Sequence, residues 1–163
     1  MVEEKQKTKV EDKKIVEKPK KEVLVKNEKD YIASAFIRDL AISTKQSVEI
    51  CNFLRNKKLD KAKLLLNEVI IKKRAIPFKR YNRDMGHKPG IGAGRYPIKA
   101  CKEIIRILNS VEANAENKGL DIKNLLIFDI CANKGVGQWH YGRKRRRRMK
   151  RTHISIQVRE LEK

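Results

Sequence analysis

No run of apolar residues in this chain approaches the roughly 20 that a bilayer-crossing helix needs, and the N-terminus is charged where a secretory signal would be apolar. The expectation is a soluble, intracellular protein with no membrane span. Cysteine is scarce as well. Cys51, Cys101 and Cys131 are odd in number, widely separated and embedded among apolar neighbours, which fits buried free thiols in a reducing compartment better than a disulfide framework. His87, His140 and His153 do not stand at zinc-ligand spacing from these cysteines, so no metal site is expected. No two carboxylates share an apolar setting that would tune one as acid and the other as base. The glycines at 90, 92 and 94 are followed by no Gly-Lys-Ser/Thr, and a basic loop precedes them where a phosphate-binding loop needs a buried strand. Neither catalytic residues nor a cofactor are therefore expected. No internal repeat at a solenoid period is found either.

Acidic residues are the shortage with the largest consequence. Lys and Arg total 41 against 20 Asp and Glu, a formal net charge of +21 with a pI near 10.1. An excess of this size repels itself in a compact monomer and calls for a polyanion, with nucleic acid the first candidate and an anionic membrane surface the second. Residues 1–29 hold ten Lys against seven acidic residues, a net of +3, so +18 belongs to residues 30–163. The first stretch, Lys- and Glu-rich and nearly free of aromatics, reads as a charged arm without a core. The 40% hydrophobic content supports one modest core, hence one domain over residues 30–163.

Within that domain the apolar periodicity marks the elements. Tyr31 to Arg38 reads as a short strand. A helix follows, with Ser43 and Gln46 as a capping box and a stripe of Val48, Cys51 and Leu54 or Ile50, closing at Asn56. Asp60 caps a second helix carrying Ala62, Leu65, Leu66, Val69 and Ile70, which Pro77 stops. A third starts at Pro97, aligns Ile98, Cys101, Ile105, Leu108, Val111 and Ala115, and ends at Gly119. Leu126, Phe128 and Ile130 alternate in one strand, and Ile154, Ile156 and Val158 in another. Nineteen residues, Asn133 to Arg151, separate the two, far more than an ordinary hairpin loop.

That connection carries the densest charge. Eight of the nine residues from Arg143 to Arg151 are cationic: Arg143, Lys144, Arg145, Arg146, Arg147, Arg148, Lys150 and Arg151. A localisation signal is one reading, but the run lies between two apolar strands and not at a tail. Successive residues of an extended ribbon point to opposite sides, so an unbroken basic run charges both faces and suits a projection surrounded by phosphate. About nine residues per limb at about 3.3 Å each would reach roughly 30 Å. Alone in water such a ribbon has no core, so order is expected only when a partner encloses it. Before the run stand Gly135, Val136, Gly137, Gln138, Trp139, His140 and Tyr141, whose rings suit stacking on unpaired bases; a glycine-rich tip with solvent-facing aromatics is the plainer alternative. A second basic segment, from Pro77 to Arg95, mixes Lys79, Arg80, Arg83, His87, Lys88 and Arg95 with Phe78 and Tyr81. It reads either as an RNA-binding loop or as a long solvated one.

Gly94-Arg95-Tyr96-Pro97-Ile98-Lys99-Ala100 and Glu112-Ala113-Asn114-Ala115-Glu116-Asn117-Lys118-Gly119-Leu120-Asp121, with the segments Ala75 to Arg83, Tyr141-Gly142-Arg143 and Thr152 to Val158, closely resemble the universal large-subunit ribosomal protein twenty-two family in its archaeal and eukaryotic form. The resemblance covers about residues 31–160. It implies an α+β body, three helices packed on a three-stranded antiparallel sheet, with a long projecting β-hairpin at about 125–159. It further implies a cytoplasmic, ribosome-bound structural protein that contacts 23S-type ribosomal RNA, neighbouring large-subunit proteins and the nascent polypeptide. By that resemblance Lys79, Arg80, Arg83, His87, Lys88 and Arg95 fall in an RNA-binding loop, Arg143 to Arg151 in the hairpin, and Gly135 to Tyr141 at a tip lining the exit tunnel. Relatives of this type carry a longer tip, whereas here it reads Gln138-Trp139-His140-Tyr141. A free RNA- or DNA-binding factor and, more remotely, an RNA-modifying enzyme are the competing readings.

Overall fold

The computed structural model describes residues 31–161; the arm expected over residues 1–29 lies outside them. The order is β1 (Ile32–Leu40), α1 (Thr44–Leu54), α2 (Leu59–Ile70), β2 (Ile76–Pro77), β3 (His87–Lys88), β4 (Gly92–Arg95), α3 (Ile98–Asn117), β5 (Leu125–Lys134) and β6 (Thr152–Glu160). Strands β1, β6 and β5 form an antiparallel sheet in that spatial order, and the three helices pack against one of its faces. The expected α+β architecture is therefore present.

Strand β6 is central, paired with both β1 and β5, and it alternates as expected. Ile154, Ile156 and Val158 are fully buried, while Gln157 and Arg159 face outward. The face of β5 differs from the expectation. Leu125, Ile127 and Ile130 are buried and Phe128 is 46% exposed, because a bulge between Ile127 and Asp129 inserts an extra residue and changes the parity. The unbroken apolar run Leu125-Leu126-Ile127-Phe128 offers no alternation from which to choose the face.

The helices obey their periodicity with local shifts. In α1 the buried stripe is Ser47, Glu49, Ile50, Cys51 and Leu54, and Val48 is only half-buried. Ser43 is the N-cap residue, but its side chain makes no capping bond, so the capping box is not formed. In α2 the N-cap is Lys58, and Asp60 lies inside the first turn, where its charge meets the positive helix end. This helix stops at Ile70, with Lys72 in a left-handed conformation (φ 62°), well before Pro77, which belongs to β2. Helix α3 buries Ile104 and Ile107 and leaves Ile105 half-buried. Gly119 (φ 72°) ends it as expected: its N–H donates to Glu116 and that of Leu120 to Ala115, the paired bonds of a Schellman cap.

Both sheet edges are partly covered. Along β1, the Asn114 side chain donates to the Ser34 carbonyl (2.9 Å) and Lys118 to that of Ile32 (2.8 Å). Along β5, Ile127 exchanges backbone bonds with Asn56 and Lys57, and Arg55 donates to the Ile130 carbonyl. Of the thiols, Cys51 and Cys101 are buried as expected and Cys131 is half-buried. Burial pushes Cys51 up to about 12, helped by the neighbouring Cys131, and burial alone does the same to Cys101.

Candidate nucleic-acid interface

The segment from Pro77 to Arg95 is not the plain loop its sequence suggests. Strand β4 pairs with both β2 and β3 in a second, small antiparallel sheet, and Phe78 and Met85 enter the core. Its polypeptide is held from beneath by Glu49. This carboxylate, 1% exposed, accepts backbone N–H bonds from Lys79 (3.1 Å), Arg80 (2.9 Å) and Tyr81 (2.8 Å). Charge-assisted bonds of this kind are the strong ones, and with the backbone so pinned the side chains of Lys79, Arg80 and Arg83 are left exposed. His87 and Arg95 are exposed and Lys88 half-buried, on the two paired strands β3 and β4. Arg83 is further set by donating to the Lys79 carbonyl.

Beyond Lys134 and before Thr152 the two limbs of the connection run antiparallel. The N–H groups of Gly135, Met149 and His140 donate to the carbonyls of Arg151 (2.9 Å), Gln138 (2.7 Å) and Arg147 (2.9 Å), and Trp139 pairs with Arg148. The chain reverses in a 3-10 turn at Gly142–Lys144, with Gly142 at φ 62°. The outgoing limb is thus residues 135–141, about 23 Å at most when extended and shorter than expected. Gly135 and Gly137 serve close approach, not turning. A Cβ on Gly137 would come within 2.7 Å of the Met149 carbonyl oxygen, and one on Gly135 within 3.0 Å of the Arg151 Cβ.

Of the seven residues assigned to the tip, Gly135, Val136 and Gly137 stand at the root and Tyr141 adjoins the reversal. The reversal itself, Gly142 to Arg146, belongs to the basic run. Arg143 to Arg148 and Lys150 are exposed, Arg151 is half-buried. Among the described residues, ion pairs join Lys63 to Glu112, Arg74 to Glu68 and Arg106 to Glu103. None includes a cation of either basic segment.

The hairpin root is fastened to the body. The buried Thr152 hydroxyl donates to the Ile42 carbonyl (3.0 Å), which leaves its oxygen to accept from Thr44 (2.9 Å). Asp39, at φ 56° beside the β1 bulge, donates its N–H to His153 Nδ1 (3.1 Å) and accepts from Arg151 through its carbonyl (3.3 Å). This anchoring brings the hairpin root alongside the Glu49-held segment. Between them lies an open groove of about 1170 Å³, lined from the body by Lys45, Tyr81 and Arg95 and from the hairpin by Trp139, Arg148 and Lys150, among others. Glu49 escaped the sequence reading, although an acidic residue beside Ile50 and Cys51 on the apolar face of a helix is a usable signal of a buried, satisfied carboxylate. Lys134, in the connection itself, was passed over, and Lys45 was missed because nothing in its neighbourhood placed it next to the basic segments.

The sequence is similar to known proteins over most of its length. Large ribosomal subunit protein uL22 of Methanosphaera stadtmanae is 49% identical over 108 residues, covering 64% of this chain and 70% of the relative. The uL22 proteins of Methanoculleus marisnigri and Methanoregula boonei are 42% and 41% identical, over 82% and 83% of this chain and 93% and 94% of their own lengths. With residues 35–159 matching the family model of ribosomal protein L22p/L17e, the chain belongs to that family.

Proposed function

We propose that this protein is a structural constituent of the large ribosomal subunit, working in the cytoplasm. It binds 23S-type ribosomal RNA through Lys79, Arg80, Arg83, His87, Lys88 and Arg95 on the body and through Arg143 to Arg151 on the hairpin. The observation that carries this reading is that these cations are largely exposed and, among the described residues, unpaired with any carboxylate. Arg suits the role because its planar fork grips phosphate oxygens in pairs. The RNA-binding domain spans residues 30–163, and the Lys- and Glu-rich residues 1–29 are not part of it. The distal hairpin meets the nascent polypeptide, with Tyr141, 88% exposed beside the reversal, the residue best placed for it. Neighbouring large-subunit proteins complete the set of partners.

Sedimentation tests this. The full chain should remain stoichiometric with large subunits through a moderate-salt gradient, whereas a free assembly or chromatin factor would leave them. Reversing Arg145 to Arg148 to Glu should block incorporation, while Tyr141→Ala should incorporate normally and alter only a peptide-stalling reporter. Release of the unmodified chain from subunits at moderate salt would refute the constituent role.

A further inference from the structure

We propose that the groove at the hairpin root is a seat for unpaired nucleotides, with Trp139 as the stacking platform; this rests on the RNA-binding reading and adds to it which form of RNA the root selects. The groove holds about 1170 Å³, more than the roughly 300–1,000 Å³ of a small-molecule pocket, so it accommodates a short run of single strand. Its walls carry Lys45, Arg95, Lys134, Arg148, Lys150 and Arg151 and no carboxylate. That composition rejects an acidic peptide less readily than it attracts phosphate, but it is the aromatic groups that decide between RNA forms.

Trp139 is 57% exposed, and the Arg148 guanidinium lies 4.2 Å above its ring. One face of the indole is thus covered by a cation and the remainder is open, so a base could add a further layer to an existing stack. On the body side, Tyr81 is fixed in place because Glu49 holds its backbone N–H, and Arg80 and Lys45 lie 5.3 and 5.8 Å from its ring centroid. In a duplex the base faces are already stacked on one another, so an aromatic platform gains nothing from it. An unpaired base offers its face freely. The groove also lies where two separately basic elements converge, so a strand entering it would keep phosphate contacts on both sides.

Trp139 is the only tryptophan in the chain, so its emission reports this site alone. The full-length protein is titrated with a ten-nucleotide single-stranded RNA, with a duplex of the same strand, and with an abasic strand of equal phosphate count, following Trp139 emission and the anisotropy of an end label. Single-stranded RNA should quench Trp139, and the duplex and abasic strands should bind with little quenching. Trp139→Leu should weaken single-strand binding by about tenfold and duplex binding by less than about twofold, with the salt dependence of both unchanged because no charge is lost. Equal quenching by all three RNAs, equal weakening of single strand and duplex, or single-strand binding without quenching would each overturn the proposal while leaving RNA binding intact. Failure to bind any of the three at low salt would bring down the RNA-binding reading and the proposal together.

Discussion

The two basic segments have similar compositions and opposite supports. From Lys79 to Arg95 the cations ride on backbone that the body itself organises, through Glu49, a small sheet and the buried Phe78 and Met85. From Arg143 to Arg151 they ride on a limb with no buried apolar residue, joined to its partner limb by a few backbone bonds and one Trp–Arg stack. Charge density in a sequence therefore marks where a polyanion is expected, and leaves open whether the protein itself supplies the order. The first segment is organised by the body, whereas the second is held only by the pairing of its own two limbs.

The sharpest way to break this comparison is Glu49→Ala. Stripping three backbone N–H groups of their shared acceptor should cost at least about 3 kcal/mol, since each unsatisfied donor costs about 1–3 kcal/mol. The melting temperature should fall on the order of 10 °C, with amide exchange at Lys79, Arg80 and Tyr81 accelerating most. A melting point within a degree of the parent would mean that the first segment is no better supported than the second. Neutralising Arg145 to Arg148 should do the converse. Thermal stability should hold, while the log-log salt slope of RNA binding should drop by roughly three units, at about 0.7 per phosphate contact on single strands. An unchanged slope would show that these arginines do not hold phosphate.

A subtler probe is Gly137→Ala. The added Cβ meets the Met149 carbonyl oxygen at 2.7 Å, so the limbs must separate and the Met149 to Gln138 bond must break. The near-ultraviolet signal of Trp139 should weaken, with the body's melting temperature shifting by less than about 2 °C; a large shift would show that hairpin and body melt as one unit. The smallest effect concerns the thiols. With Cys51 and Cys101 raised to about 12, about one in ten thousand is thiolate at pH 8, and both are buried besides. Half-buried Cys131 should alkylate first and alone in the folded protein, as peptide mapping would reveal, and the other two should follow only on unfolding.

The reading of sequence succeeded where a pattern was redundant. Helix α3 announced itself by a proline at its start, a long apolar stripe and Gly119 at its end, and β6 by strict alternation. It failed where the deciding interaction is distant in sequence or where the local pattern is degenerate. Leu125 to Phe128 are all apolar, so only the bulge, formed against β6, selects the inward face. The β2, β3 and β4 strands are too short to leave a periodic trace, and the stretch between β2 and β3 is held by Glu49, some thirty residues earlier in the chain. The hairpin was legible as two strands with a basic connection, but the position of its reversal was not. Gly135, Gly137 and Gly142 look alike on the page, and only Gly142 has the positive φ of a turn.

The partly covered sheet edges bear on self-association. An exposed strand edge is a template for pairing with another copy. Here Asn114 and Lys118 occupy carbonyls along β1, while the residues linking α1 to α2, with Arg55, occupy β5. Along the return limb of the hairpin, two copies would have to bring together two dense rows of cations, Arg143 to Arg148 with Lys150 and Arg151. Chains of this kind repel one another where they could still pair, and the same charge that delays self-association is cancelled only when a polyanion arrives.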